Sequence, residues 1–227
     1  MKAEYYQEGW AEMKKESKKA LCAGVCLLGA FILWTALVCC VDVREIGPRG
    51  SAVGFSGING FFHDLTGVHM DLYVITDWLG LVPVGFAFGF AILGLVQWIR
   101  RKHILKVDRG ILVMGVYYIV VMTAYILFEE VVINYRPVLI NGFLEASYPS
   151  STTLLVLCVM PTAVMQLNTR IRKEILRKCV AVAIKVFVVF MVMGRLVSGV
   201  HWLSDIVGGV LLSMGLVKLY RAFADLF

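Results

Sequence analysis

The stretch CVAVAIKVFVVFMVMGRLVSGVHWLSDIVGGVLLSMGLVKLY, residues 179–220, holds two apolar runs joined by a short polar break. A helix needs about 20 apolar residues to cross a bilayer, and each run has roughly that length. Backbone groups in lipid must bond within their own segment, so both runs are predicted to be helices. The break carries Arg195, His201 and Asp205 in the order Arg-x5-His-x3-Asp. Ionisable residues at membrane depth are costly, which marks the triplet as a candidate functional site. If a helix starts near Trp202, His201 and Asp205 lie four residues apart on one face. The carboxylate can then hold one ring nitrogen and leave the other free as a base or nucleophile.

Working outward, the same apolar character fills the chain. Its 227 residues are 59% hydrophobic, far above a soluble globular domain. Further spans are predicted at Ala20 to Val41, Trp78 to Ile99, Ile111 to Ile133 and Thr152 to Leu167, ahead of Cys179 to Val197 and Trp202 to Tyr220. The fold class is therefore all-α, an integral-membrane bundle of six transmembrane helices. Residues 20–227 form one membrane domain. Residues 1–19 precede it, with Tyr6, Trp10 and Met13 at helical spacing and lysines behind them. This segment is predicted to be a cytoplasmic interfacial helix or a solvated tail. The run after it is too long for a signal-peptide core and is expected to be retained. Residues 43–77 are expected to form a glycine-rich loop.

The formal charge of +6 does not point to nucleic acid, because the basic residues flank the apolar runs in short clusters. Lys and Arg gather at the N-terminus, at 100–109, at 170–178 and near the C-terminus. Six spans put these clusters, and both termini, on one side, which the positive-inside rule makes cytoplasmic. The segments 43–77, 134–151 and 198–201 then face outward. A plasma-membrane protein, bacterial in its small size and minimal loops, is the expected setting. The six cysteines lie in or beside the apolar runs without zinc-like spacing and read as small buried hydrophobes.

Three outer segments carry the polar chemistry. The third span ends in Glu129 and Glu130, followed by Asn134-Tyr135-Arg136-Pro137. The fourth opens with Tyr148-Pro149-Ser150-Ser151-Thr152-Thr153, a helix start whose hydroxyls suit capping and whose free N–H groups suit an anion. The third segment runs from Gly194-Arg195 to Asp205. Arg136 and Arg195 are fitted to clamp phosphate oxygens with planar forks.

These three segments resemble, in order, the three signature motifs of the phosphatidic acid phosphatase type 2 superfamily of lipid phosphate phosphatases: K-x6-R-P, P-S-G/S-H and S-R-x5-H-x3-D. The resemblance implies metal-independent hydrolysis of a phosphorylated membrane lipid through a phosphohistidine, with no cofactor. It makes His201 the nucleophile and Asp205 its orienter. Arg136, Arg195, Ser150 and the amide of Ser151 would bind phosphate. Three positions depart from the pattern. Glu129 stands where the first motif has a phosphate-binding lysine. Thr152 replaces the histidine that protonates the leaving group, and Gly194 replaces a serine.

Loss of a general acid typically costs about 10²–10⁴ in rate. An alkoxide leaves badly without a proton, whereas a phosphate leaving from a diphosphate needs little help. Lipid diphosphates, such as isoprenyl diphosphates, are thus the expected substrates ahead of phosphatidic acid. Glu129 is expected to weaken anion binding if ionised, to donate if protonated, or to pair with Arg136 or Arg195. His63, Asp64, His69 and Asp71 are surface candidates for a replacement donor. The alternative is a catalytically impaired relative that binds phosphorylated lipid or a membrane partner. A transporter is disfavoured, since its charges would line a midplane path.

Overall fold

The computed structural model describes residues 2–224, with side chains from Met13 onward; Tyr6 and Trp10, which suggested an interfacial helix, therefore have side chains outside the described set. Eight α-helices occur among these residues: α1 (Lys2–Cys40), α2 (Ser56–Thr66), α3 (Met70–Leu79), α4 (Leu81–Arg101), α5 (Arg109–Glu130), α6 (Ser151–Arg170), α7 (Glu174–Val197) and α8 (Leu203–Ala224). Six segments are long and apolar enough to cross a membrane, with α3 and α4 together forming the second, so the protein is an integral-membrane helical bundle. The first of these, Met13–Cys40, lies within α1, which has no break at residue 19.

The helices α6 and α8 form the centre. About half of their most apolar windows is buried inside the protein (56% and 50%), against 11% for α3–α4. The outer helices instead turn residues such as Ile32, Phe88, Ile119 and Val186 outward. This is the inversion expected where lipid is the solvent. Small residues along α8 let its neighbours close in. A Cβ on Gly208 would lie 2.7 Å from the Tyr148 ring, and one on Gly215 would lie 2.8 Å from Leu28 of α1. At the end of the bundle remote from His201, Asp108 accepts from Gln97 Nε2 at 2.7 Å and pairs with Arg101 and Arg170. The Gln97 hydrogen bond, with Arg101, lowers the Asp108 pKa and fastens the ends of α4, α5 and α6.

The segment 43–77 is not the loop expected from its glycines. It holds α2 and α3, and α3 passes into α4 through Gly80, whose backbone is right-handed helical. Helix α2 exposes Ile58, Phe61 and Leu65 at helical spacing, the apolar stripe of a helix lying at a lipid boundary. Its other side buries Asn59, which donates to Ser204 Oγ at 2.9 Å and accepts from the Ser204 amide at 3.1 Å. Gly199 then brings the α7–α8 turn against the α2–α3 turn. It has φ of +68°, and a Cβ there would lie 2.0 Å from the Gly67 carbonyl oxygen. Beside it, the His69 amide donates to the Ser198 carbonyl at 3.0 Å. This docking places α3 beside α7, near the end that carries Arg195.

Candidate active site

The α5–α6 connection folds back on itself. The Arg136 amide donates to the Glu145 carbonyl at 3.0 Å and the Ser147 amide to the Asn134 carbonyl at 2.9 Å. This ladder holds Arg136 and Ser147 side by side over the start of α8. The Ser150 amide donates to the Asp205 carbonyl at 3.1 Å, pinning the start of α6 to the same place. Three segments distant in sequence thus meet at His201, whose side chain is buried at 1% exposure.

His201 Nδ1 lies 3.2 Å from the Ser147 carbonyl oxygen. A carbonyl only accepts, so Nδ1 carries the proton and Nε2 keeps its lone pair. On that side stand Arg136 Nη1 at 3.3 Å and Arg195 Nη2 at 3.5 Å. Burial, and then the charges of Arg136 and Arg195, push the His201 pKa well below the ordinary range, against the opposing Ser147 hydrogen bond. The ring is held as a neutral imidazole with its free nitrogen between two guanidinium forks.

Asp205 does not brace the ring by a hydrogen bond, as the four-residue spacing suggested. Its Oδ2 is 3.8 Å from Nδ1 and accepts instead from the Trp202 amide at 2.9 Å. Its Oδ1 accepts from Asn134 Nδ2 at 3.2 Å. The carboxylate caps the first turn of α8 and ties in the Asn134 end of the connection that carries Ser147.

Two like-charged guanidiniums at one imidazole repel each other, and α3 supplies what offsets this. The Tyr73 ring lies 4.9 Å from Arg195 Cζ and 5.9 Å from Arg136 Cζ, a shared cation–π platform. Asp77 Oδ1 is 3.6 Å from Arg195 Nη1, and Glu145 Oε2 is 3.1 Å from Arg136 Nε. Thr76 Oγ1 is 3.5 Å from Arg195 Nη1. Among the described residues, buried Arg195 Nε has no hydrogen-bond acceptor. An unpaired buried guanidinium N–H is costly, and an incoming oxyanion would satisfy it.

Tyr73, Thr76 and Asp77 were missed in the sequence because residues 43–77 read as a loop. Their spacing, i, i+3 and i+4, was the available signal of a polar helical face.

The other expected positions divide. Ser150 is buried at the N-cap of α6, but its side chain makes no cap bond; its Oγ accepts from Thr153 Oγ1 at 3.0 Å. Ser151 opens α6 and is half-buried. Glu129 pairs with neither arginine among the described residues; it lines a small crevice with Tyr125, Ser147, Tyr148 and Ser151. Thr152 faces the end of α3, its methyl 3.7 Å from where a Gly80 Cβ would stand. Gly194 has a steric reason, since a Cβ there would lie 2.7 Å from Thr76 Cγ2. The closeness of α3 and α7 that sets Thr76 beside Arg195 means that a side chain at 194 would force one of them to shift. Neither His63 nor His69 contacts the arginines: the His63 ring packs on Trp202 at 5.5 Å, and His69 Nε2 donates to the Thr66 carbonyl at 2.8 Å.

Fold and site together define an integral-membrane helical protein with a buried histidine facing a two-arginine anion seat. Residues 117–226, just under half of the chain, match the PAP2 superfamily. The matched segment takes in all three motif regions. No curated protein sequence matches the chain. Among solved structures it is similar to the crystal structure of a transmembrane PAP2-type phosphatidylglycerolphosphate phosphatase from Bacillus subtilis. That likeness has 20% sequence identity and a TM-score of 0.47, and covers 88% of this chain and 94% of the other.

Proposed function

We propose that the protein is a membrane lipid phosphatase that transfers a phosphoryl group from a phosphorylated lipid to His201 Nε2 and then to water. The observation that carries this reading is the Nε2 lone pair held between Arg136 and Arg195 while Arg195 Nε lacks an acceptor. The arginines would take the equatorial oxygens of the phosphoryl group, whose charge is spread over them in a loose transition state. Ser147 would keep the Nδ1 proton in place as Nε2 bonds to phosphorus. The α6 N-terminus at Ser151 would add its amides.

The substrate class follows from the leaving group. Thr152 supplies no ionisable proton donor, and Glu129 adds no cation. A lipid diphosphate, releasing a lipid phosphate monoester, demands least of such a site. Its position among the outer ends of α5, α6, α7 and α8, opposite the basic segments 100–109 and 170–178, supports an outward-facing site with both termini cytoplasmic. One six-span domain from residue 20 to 227, preceded by the basic N-terminal segment, is the corresponding domain reading.

Turnover of an isoprenyl diphosphate and of phosphatidic acid by the purified protein tests the substrate class, with faster diphosphate cleavage expected. Equal or better turnover of phosphatidic acid contradicts it. Labelled phosphate should be trapped on His201. Thr152→His together with Glu129→Lys should raise phosphatidic acid turnover selectively. The alternative, a lipid-phosphate binder without turnover, is favoured by the same Glu129 and Thr152 replacements. It predicts lipid binding with no label on His201.

A further inference from the structure

The Arg195 guanidinium joins two environments. Its Nη2 faces the buried His201 Nε2 at 3.5 Å, while its Nη1 faces Asp77 Oδ1 at 3.6 Å. The Asp77 side chain is 57% exposed, whereas that of His201 is 1% exposed. The end of α3 that carries it also abuts the start of α6. A Cβ on Gly80 would lie 2.8 Å from the Asp77 carbonyl oxygen and 3.7 Å from Thr152 Cγ2.

Two other carboxylates near the arginines are engaged by protein groups. Glu145 meets Arg136 at Nε, on the stem side of the guanidinium, and its carbonyl is bonded to the Arg136 amide. Asp205 is fully buried with both oxygens accepting from protein groups. The Asp77 carboxylate makes no hydrogen bond among the described residues, which leaves its oxygens accessible to water.

We propose that Asp77 is the general base that activates the water hydrolysing the phosphohistidine. The proposal rests on His201 being the nucleophile, as argued above. In that intermediate the phosphoryl group is bonded to Nε2 and Nδ1 keeps its proton toward Ser147. In-line attack comes from the face opposite Nε2, the one the leaving group has vacated. The water oxygen forms the new P–O bond, the P–Nε2 bond breaks, and its electron pair returns to Nε2. One water proton passes to an Asp77 oxygen and from there to solvent, and inorganic phosphate departs. An ionised carboxylate accepts a proton and has none to donate. It therefore suits this second step and leaves the first to a substrate whose leaving group needs no acid.

The test uses the full-length protein in detergent and an isoprenyl diphosphate labelled at its terminal phosphate, with rapid quenching. Wild type, Asp77→Asn, Asp77→Glu and His201→Ala are compared. Asp77→Asn should slow label formation only modestly, through its Arg195 contact, and lose the His201 label about 10²–10⁴-fold more slowly, so that label accumulates. Asp77→Glu should restore most of the decay rate. Unchanged decay in Asp77→Asn, or a loss confined to label formation, overturns the role of Asp77 while leaving the nucleophile intact. Turnover without any label in the wild type, and retained in His201→Ala, overturns the phosphohistidine reading and this proposal with it.

Discussion

His201 Nδ1 bonds to the backbone carbonyl of Ser147 at 3.2 Å, and the carboxylate four residues downstream stands off at 3.8 Å. The ring is thus hydrogen-bonded to the α5–α6 connection and not to Asp205. Asp205→Asn should disturb that connection by misdirecting one hydrogen bond from Asn134 or the Trp202 amide. A cost of about 1–3 kcal/mol is expected for one buried polar group left unsatisfied. Thermal unfolding in detergent measures it. His201 labelling should fall less than in His201→Ala, which should abolish it; equal losses would mean that Asp205 bonds the ring directly during catalysis.

The pH dependence follows from the same burial. The His201 pKa is depressed, chiefly by burial and then by Arg136 and Arg195. The nucleophile therefore stays neutral as pH falls through the ordinary histidine value of about 6.5. Label formation should keep its rate there and decline only at lower pH. Folding has the matching sign. The unfolded chain takes up a proton near that value that the folded chain refuses, so the His201 contribution to stability is full above it and is lost below it. Labelling rates across about pH 5 to 8 check the first statement. A half-maximal rate at or above the ordinary value would contradict it.

Arg195 offers two nitrogens to two partners while its ring-like plane lies over Tyr73. Lysine keeps the charge and loses the fork. Arg195→Lys should lower kcat/KM by roughly 10²–10³, the usual cost of one misplaced transition-state donor. Steady-state kinetics on a lipid diphosphate measure it, and a change below about tenfold would show that charge alone suffices.

Gly194→Ser restores the residue that the family motif carries, yet it should harm this protein. The new Cβ would meet Thr76 Cγ2 at 2.7 Å and separate α3 from α7. About 1–3 kcal/mol of destabilisation is expected from such overpacking, seen as a lower unfolding temperature, with no gain in turnover. A stable, faster variant would show that the hydroxyl matters more than the packing.

The membrane spans were legible because hydropathy is a property of each residue and its immediate neighbours. Spans such as Cys179 to Val197 and Ile111 to Ile133 lie within a few residues of α7 and α5. The reading failed at residues 43–77, where glycines and charges masked α3 and with it Tyr73, Thr76 and Asp77. Their importance comes from what lies across from them, and no local pattern records that.

The sequence alone determined the class of fold, the three segments that meet, and the pairing of a histidine with two arginines. Run length and the cost of a bare backbone in lipid are enough for the first. Spacing and side-chain chemistry are enough for the others. Tertiary structure decided which nitrogen of His201 is free, that Asp205 accepts from the Trp202 amide and Asn134, and that Asp77 and Glu145 face the arginines. Those are through-space relations set by how α3 and the 134–150 connection pack over α7 and α8. A shift of about 1 Å there would change every one of them while leaving the spans unaltered.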